Sequence, residues 1–424
     1  MGKYRSIESK NSCTGNASDR STSMSTVSQR SGANMPLIPG LNFSSTYEAP
    51  TAEELADRFQ ELLRGGRPFI YQRFGTPLIE MVEQALLEFE ARSVESLLFR
   101  SGMAAISTAI QALVDPRLHP VIIHSEPLYG CTFEYLTTIA PKFGYEAVSL
   151  KTATFDEPFA KYGGRVGAFF VEHPSNPVIS LFDLDAIFQL REQYFTVHGY
   201  RPPIIVDSTF MSPLFCHPHE HGADVVIHSV TKYLGGHSDI LGGVVFTKEE
   251  ALMAEIRRYR NVLGNLMDEM SSWLLLRSLE TLELRVCAQA SSALEVARFL
   301  ADHPAVEKVL YPGLLTPGGD LGQHMIFQRT CDSPGSMISI YLKNPTRGAA
   351  FRVINATKVF RRAVSLGGTH SLIEHPASTT HAGVPEEVRI QSGITENLIR
   401  LSVGVEITSK LIMDLRQALL DLAA

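Results

Sequence analysis

The strongest constraint on how this chain can fold is a series of short apolar runs without polar alternation: "PVIIHS", "VGAFFVEHP", "PIIVDST", "DVVIHS" and "GGVVFT". A strand with one wet face alternates apolar and polar side chains, so each run predicts a strand covered on both faces. Helical stretches such as "CTFEYLTTIAPKFG" and "DLDAIFQLREQYF" lie between them. Strand and helix in turn predict an α/β fold around a mainly parallel sheet.

The chain has 424 residues, which favours two domains. Residues 1–35 are rich in Ser, Thr and Asn and predict a disordered tail, and residues 36–75 predict an arm. In the arm, "TAEELADRFQELL" reads as a helix ended by Gly65 and Gly66. A large domain over 76–290 opens with Thr76 as cap, Pro77 at the first helical position, and Leu78, Val82, Ala85 or Leu86, and Phe89 at helical spacing. A second helix is expected near "SGMAAISTAIQAL". For the smaller domain, 291–424, "SMISIYLK" predicts a half-exposed strand, and "SKLIMDLRQALLDL" aligns Leu411, Leu415, Leu419 and Leu422 on one helical face.

A formal charge of -7 gives no footprint for nucleic acid or an anionic membrane, so a small-molecule partner is expected. No apolar run approaches the roughly 20 residues that span a bilayer, and the N-terminus lacks the apolar core of a secretory signal, so the expected location is cytoplasmic. Cys13, Cys131, Cys216, Cys287 and Cys331 are scattered without a CxxC pair. Reduced thiols are expected, with neither a disulfide framework nor a metal site.

Ligands of parallel α/β sheets bind at the carboxyl ends of the strands, where this sequence puts Glu172, Asp207, Ser229 and, just beyond, Lys232. A lysine to bond a carbonyl, an acid for a ring nitrogen, and hydroxyls with glycine amides for a phosphate together suggest pyridoxal phosphate. A lone lysine is more often a surface group. Lys232 stands instead inside "HSVTKYLGGHSD".

The segments "YQR", "SGMAAI", "LYGCTF", "EHPSNP", "VDSTF", "GADVVIHSVTKYLGGHSD", "SLGGTHSLIEHPAS" and "ITENLIRLSVGVE" follow one another in the order of the Cys/Met-metabolism family of pyridoxal-phosphate enzymes, which the chain resembles from about residue 37 onward. The resemblance implies the aminotransferase-like fold type I, with a seven-stranded sheet and a smaller C-terminal α/β domain. It implies that Lys232 carries the cofactor as a Schiff base and serves as the base at the substrate's α-carbon. Asp207 would pair with the pyridine nitrogen and Tyr129 would stack on the ring and protonate a departing γ-group. The phosphate would be held by Ser101, Gly102, Met103, Ser229 and Thr231, with Tyr71 and Arg73 arriving from a neighbouring subunit. Asn176 and Thr209 complete the implied cofactor contacts. For the substrate the resemblance implies Arg400 on the α-carboxylate, with Ser365, Cys131 and His370 nearby. A tetramer, a dimer of dimers with sites shared across each dimer, follows from the same resemblance.

The sequence also departs from the family pattern. Ser208 stands where Asn is usual, Cys131 where most relatives have Gly, and His370 where the cystathionine enzymes commonly carry Glu. "GNLMDEMSSW" lacks the usual Ser-Pro pair, and Asp268 and Glu269 there read best as carboxylates favoured by a helix N-terminus. The expected activity is γ-elimination from an amino acid through a vinylglycine-type intermediate. The alternatives are γ-replacement, as in joining an O-acyl-homoserine to a thiol, and a pyridoxal-phosphate-binding protein with little turnover.

Overall fold

The structure is a computed structural model that describes residues 38–90, 92–150 and 161–420. The expected tail, Cys13 and Leu422 lie outside the described residues. A seven-stranded sheet runs in the order β1-β7-β6-β5-β4-β2-β3. Its strands are β1 (Glu95–Phe99), β2 (Val121–His124), β3 (Glu146–Ser149), β4 (Val166–Glu172), β5 (Ile204–Asp207), β6 (Val225–His228) and β7 (Gly243–Thr247). Only β7 runs against its neighbours, so the sheet is mainly parallel, as its apolar runs imply.

The missing alternation has a direct cause. Alternate residues of one strand enter different cores: Phe169 and Val171 of β4 pack on one face with the helix Pro77–Leu86 and the helix Leu184–His198. Ala168 and Phe170 pack on the other, with the helix Gly102–Leu113 and the helix Glu250–Leu263. All seven residues of β4 are buried. At about 1.5–3 kcal/mol per buried large apolar side chain, a polar residue on either face would be costly.

A second sheet, order β10-β11-β12-β9-β8, is built from β8 (Val306–Leu310), β9 (Met337–Leu342), β10 (Arg361–Arg362), β11 (Leu372–Glu374) and β12 (Leu398–Ser402). The expected half-exposed strand is β9, and it is almost wholly buried. Ile338, Ile340 and Leu342 face this sheet's own core, to which Leu411, Leu415 and Leu419 of the helix Thr408–Leu419 contribute. The other face is covered by protein rather than water: Met337 joins the main core, Ser339 Oγ donates to the Pro177 carbonyl at 2.6 Å, and the Tyr341 hydroxyl donates to the Gly393 carbonyl at 2.6 Å. Its polar alternate residues are therefore hydrogen-bonded, not solvated.

Local signals account for several boundaries. Thr51 Oγ1 accepts from the Glu54 N–H ahead of Ala52–Leu63, and Thr76 Oγ1 accepts from the Ile79 N–H with Pro77 following. The leucine-rich stretch after residue 268 forms two helices, Glu269–Leu279 and Leu282–Ala301, and residue 290 falls inside the second. The stretch "CTFEYLTTIAPKFG" is less regular than expected, passing from Gly130–Glu134 through one wide turn to a tight one at Ala140–Phe143. Pro141 has no N–H for an α-helical ladder, and Gly144 closes the turn at φ +91°.

A buried ion pair joins two of these helices. Arg260, fully buried, donates from Nη1 to Glu83 Oε1 at 2.7 Å and to the Leu98 carbonyl at 3.2 Å, and Arg67 pairs with Glu83 from the other side. Burial alone would raise the Glu83 carboxyl, but Arg260, Arg67 and the Leu98 N–H outweigh it and hold it low. Arg260→Ala is therefore expected to cost about 3 kcal/mol, the lower end for a broken buried pair because Arg67 remains. Urea unfolding of variant and parent checks this, and a loss below about 1 kcal/mol, the level of an exposed pair, would refute it.

Candidate active site

β4 and β5 are paired in register so that Glu172 and Asp207 lie side by side at the carboxyl edge of the sheet. Beyond this edge is a cavity of about 360 Å³ whose far wall comes from the segment 364–366, Thr380 and Arg400 of the second sheet's region. Among the residues expected from the sequence, Ser101, Gly102, Met103, Tyr129, Asn176, Asp207, Thr209, Ser229, Thr231, Lys232, Ser365 and Arg400 all line it.

One end is built to take an anion. Ser101 Oγ caps the helix Gly102–Leu113 by accepting from the Ala104 N–H, which leaves the first amides of the helix at the cavity beside Ser229 and Thr231. A Cβ on Gly102 would come within 3.1 Å of Ser229 Cβ, so glycine allows this close approach of helix and strand end. Further along, Asp207 Oδ1 accepts from both the N–H (3.0 Å) and the hydroxyl (2.6 Å) of Thr209. Burial raises the Asp207 carboxyl despite these bonds and the attraction of Lys232, so the group is poised to gain from a cationic N–H brought by a ligand.

Lys232 Nζ donates to Ser365 Oγ at 2.8 Å. Its ammonium is pushed down to about 8, first by burial and then by Arg400, against the pull of Glu374 and Asp207. Ser365 itself sits at φ +92°, where a side chain is strained, and its carbonyl accepts from Arg400 Nη2 at 3.0 Å. Strain at a residue that touches two of the cavity's cations fits a position fixed by its site.

Arg400 is buried and spread over several acceptors: Asn176 Oδ1 at 2.9 Å, the Ser365 carbonyl, and Glu374 Oε1 at 2.6 Å. β11 and β12 place Glu374 directly opposite Arg400. The hydroxyls of Thr379 and Thr380 also donate to Glu374, at 3.1 and 3.2 Å. Sequence reading singled out neither Glu374 nor these threonines; "SLIEHPAS" shows an acid near the motif, but the pairing depends on strand register.

Tyr129 is held by its backbone N–H, which reaches both carboxylate oxygens of Glu172 at 2.8 Å. Burial, and next the Cys131 thiol bonded to it, raise the Tyr129 phenol. A Cβ on Gly130 would come within 2.1 Å of the Thr380 carbonyl oxygen, so glycine is required after Tyr129 where this backbone passes. Glu172 is buried, and its carboxyl is raised strongly by burial and then by neighbouring Asp207.

Four expected residues lie outside the cavity wall. His370 and Cys131 are exposed, although Cys131 touches the Tyr129 phenol. Tyr71 is 43% exposed, and Arg73 Nη1 donates to the Asn261 carbonyl at 2.7 Å. Asp268 caps its helix by accepting from the Ser271 N–H at 2.9 Å, whereas Glu269 turns inward and accepts from Thr76 Oγ1 at 3.1 Å.

An amide-and-hydroxyl anion pocket, a half-buried carboxylate in want of a cation and a low-lying lysine amine fit pyridoxal phosphate, and the architecture around them is that of a fold type I pyridoxal-phosphate enzyme. The chain belongs to the Cys/Met metabolism PLP-dependent enzyme family, whose pattern matches residues 22–420. It is 36% identical to the L-methionine gamma-lyase of Pseudomonas deceptionensis over 92% of this chain and 94% of that one. With the cystathionine gamma-synthase of Mycobacterium tuberculosis it shares 38% identity over 84% of this chain and 87% of that one. The crystal structure of cystathionine gamma-lyase from Lactobacillus plantarum complexed with L-serine superposes with a TM-score of 0.80 at 32% identity, covering 91% of this chain and 93% of the other. No helix of the described residues is long and apolar enough to cross a membrane.

Proposed function

We propose that the protein eliminates a leaving group from Cγ of an amino acid. The observation that carries this reading is the Lys232 amine, half-buried, lowered to about 8 and facing a cavity whose wall holds Arg400 and Tyr129. Bound pyridoxal phosphate supplies an aldehyde carbon for amines and a ring that takes up the electron pair left at the substrate's α-carbon. The Gly102 and Met103 amides with the Ser101, Ser229 and Thr231 hydroxyls would hold its phosphate, and the Asp207 carboxylate, fixed by Thr209, would favour a proton on its ring nitrogen.

Arg400 takes the substrate carboxylate with its planar fork, oriented by Asn176 and the Ser365 carbonyl. Lys232 removes the α-proton and then a proton from Cβ, with Ser365 Oγ aiming the amine. The Tyr129 hydroxyl, kept protonated by burial, delivers a proton to the group departing from Cγ. Water then completes elimination to a 2-oxo acid and ammonia, whereas an admitted thiol gives γ-replacement. Relatives named as lyases and as synthases favour keeping replacement as the second reading. Mass-spectrometric product analysis with methionine, cystathionine, O-acetylhomoserine, O-succinylhomoserine and a γ-halogenated amino acid, each with and without thiol, separates the two. Silence across the panel would sink both readings and leave a cofactor-binding protein.

The proposal includes a homotetramer with sites shared across each dimer. The helix Ala52–Leu63 buries none of its residues in its own chain, and Phe43, Phe59 and Leu63 of the arm are exposed. With Tyr71 and Arg73 outside their own cavity, these residues support an arm that completes a neighbour's phosphate pocket. Lys232→Ala and Arg73→Ala are each expected to be strongly impaired alone and to regain activity when refolded together, since random pairing leaves roughly a quarter of the sites intact in a two-fold dimer. Steady-state assays of the mixture check this, and no recovery would place Arg73 in its own subunit's site or outside any site. The scattered thiols of the sequence support a cytoplasmic setting for the assembly.

A further inference from the structure

Outside the lining of the cavity, two buried cysteines from distant parts of the chain face each other. Cys216 and Cys331 form an isolated antiparallel bridge, and the Asp332 N–H donates to the Phe215 carbonyl at 2.8 Å. That bond flanks the pair, so the two cysteines occupy a non-hydrogen-bonded position, where facing side chains come closest and where Cα spacing suits a disulfide. Their sulfurs and a ring nitrogen of His173 all lie within 4.8 Å of one another. Cys216 is in the stretch that follows Asp207, and Cys331 ends the helix Leu321–Thr330 just before β9.

We propose that Cys216 and Cys331 are a reversible disulfide site that fastens the lead-in of the second sheet to the segment behind Asp207. His173 decides between this and a metal site. The Phe182 N–H donates to His173 Nδ1 at 3.0 Å, so the neutral ring carries its proton on Nε2. That N–H points at the Thr330 hydroxyl oxygen, 3.3 Å away, and at Cys331 Sγ, 4.0 Å away; the Thr330 O–H is itself engaged with the Ile326 carbonyl at 2.9 Å. A nitrogen that donates toward sulfur cannot at the same time ligate a metal, but it does stabilise a thiolate. The Cys331 thiol is accordingly held well below its ordinary range, first by a hydrogen bond from Cys216 and then, against burial, by His173.

With hydrogen peroxide as oxidant, the Cys331 thiolate attacks one peroxide oxygen, breaking the O–O bond and releasing hydroxide, which is protonated to water. The resulting sulfenic acid is attacked by Cys216 sulfur, forming the S–S bond; the departing hydroxide takes the Cys216 proton as a second water. Two electrons pass from the sulfurs to the peroxide. Both sulfurs are buried, so reaction follows local opening of the Cys331 segment and is slower than oxidation of exposed Cys131.

The test treats the holoenzyme with peroxide, alkylates remaining thiols, and maps peptides by mass spectrometry without reduction, with thermal melts in parallel. A linked peptide joining Cys216 to Cys331, a Tm raised by a few degrees and return of both signals on adding dithiothreitol are expected, with no rise in Cys216→Ala or in Cys331→Ala. Separately alkylated or sulfonic Cys216 and Cys331 peptides from the folded wild-type protein would overturn the proposal without reliance on either variant. So would zinc retained stoichiometrically through dialysis and released by peroxide, which would make the trio a metal site.

Discussion

Lys232→Ala is expected to reduce turnover by about 10²–10⁴-fold from loss of the positioned base alone. It should also abolish the lysine-bound visible absorbance of the purified protein. Within the protein Nζ bonds to Ser365 Oγ, so the substitution removes one hydrogen bond and a half-buried amine that is costly when charged. The fold should therefore survive, with an unchanged melting profile to show it. Full activity in Lys232→Ala would remove the basis of the proposed reaction. The amine also has a pH signature: because burial brings it down to about 8, its reaction with an aldehyde, trapped by borohydride in the cofactor-free protein, should level off above about pH 8. An exposed lysine would keep accelerating towards about 10.4. A plateau only near that ordinary value would mean that the amine stands in water.

Much of this arrangement was legible because one-dimensional signals report local physics. Apolar runs without alternation mark strands buried on both faces, and the residues that end them, Glu172, Asp207 and Ser229, then fall along one edge of the sheet. Thr76 and Pro77 announce a helix start by themselves. Tertiary pairing was not legible. Glu374 reaches Arg400 only through the register of β11 on β12, and Cys216 meets Cys331 across a long sequence gap. β9 alternates like a half-exposed strand, yet Pro177 and Gly393 provide the polar partners that water would otherwise have supplied. His370 shows the converse: it shares a motif with Ser365 but is exposed, because motif proximity does not fix the direction of a side chain at a strand entrance.

The second large effect is expected at Arg400, where binding and stability separate. The guanidinium is buried, and Glu374 opposite it is buried as well. Arg400→Ala deprives the substrate carboxylate of a charge-assisted fork, for an expected loss in kcat/KM on the order of ten- to a hundred-fold. It also leaves Glu374 without its cation, which costs about 3–5 kcal/mol for a broken buried pair. Adding Glu374→Gln removes that orphaned charge: one of the two threonine hydroxyls, which now donate to different carboxylate oxygens, can still donate to the amide oxygen, and the other can accept from the amide N–H. The double variant should thus recover most of the lost stability in urea unfolding while kcat/KM stays low, a coupling that a double-mutant cycle isolates. If stability and kcat/KM returned together, the defect of Arg400→Ala would lie in packing rather than in carboxylate recognition. If neither returned, Arg400 would be held chiefly by Asn176 and the Ser365 carbonyl, and Glu374 would not be the group that balances its charge.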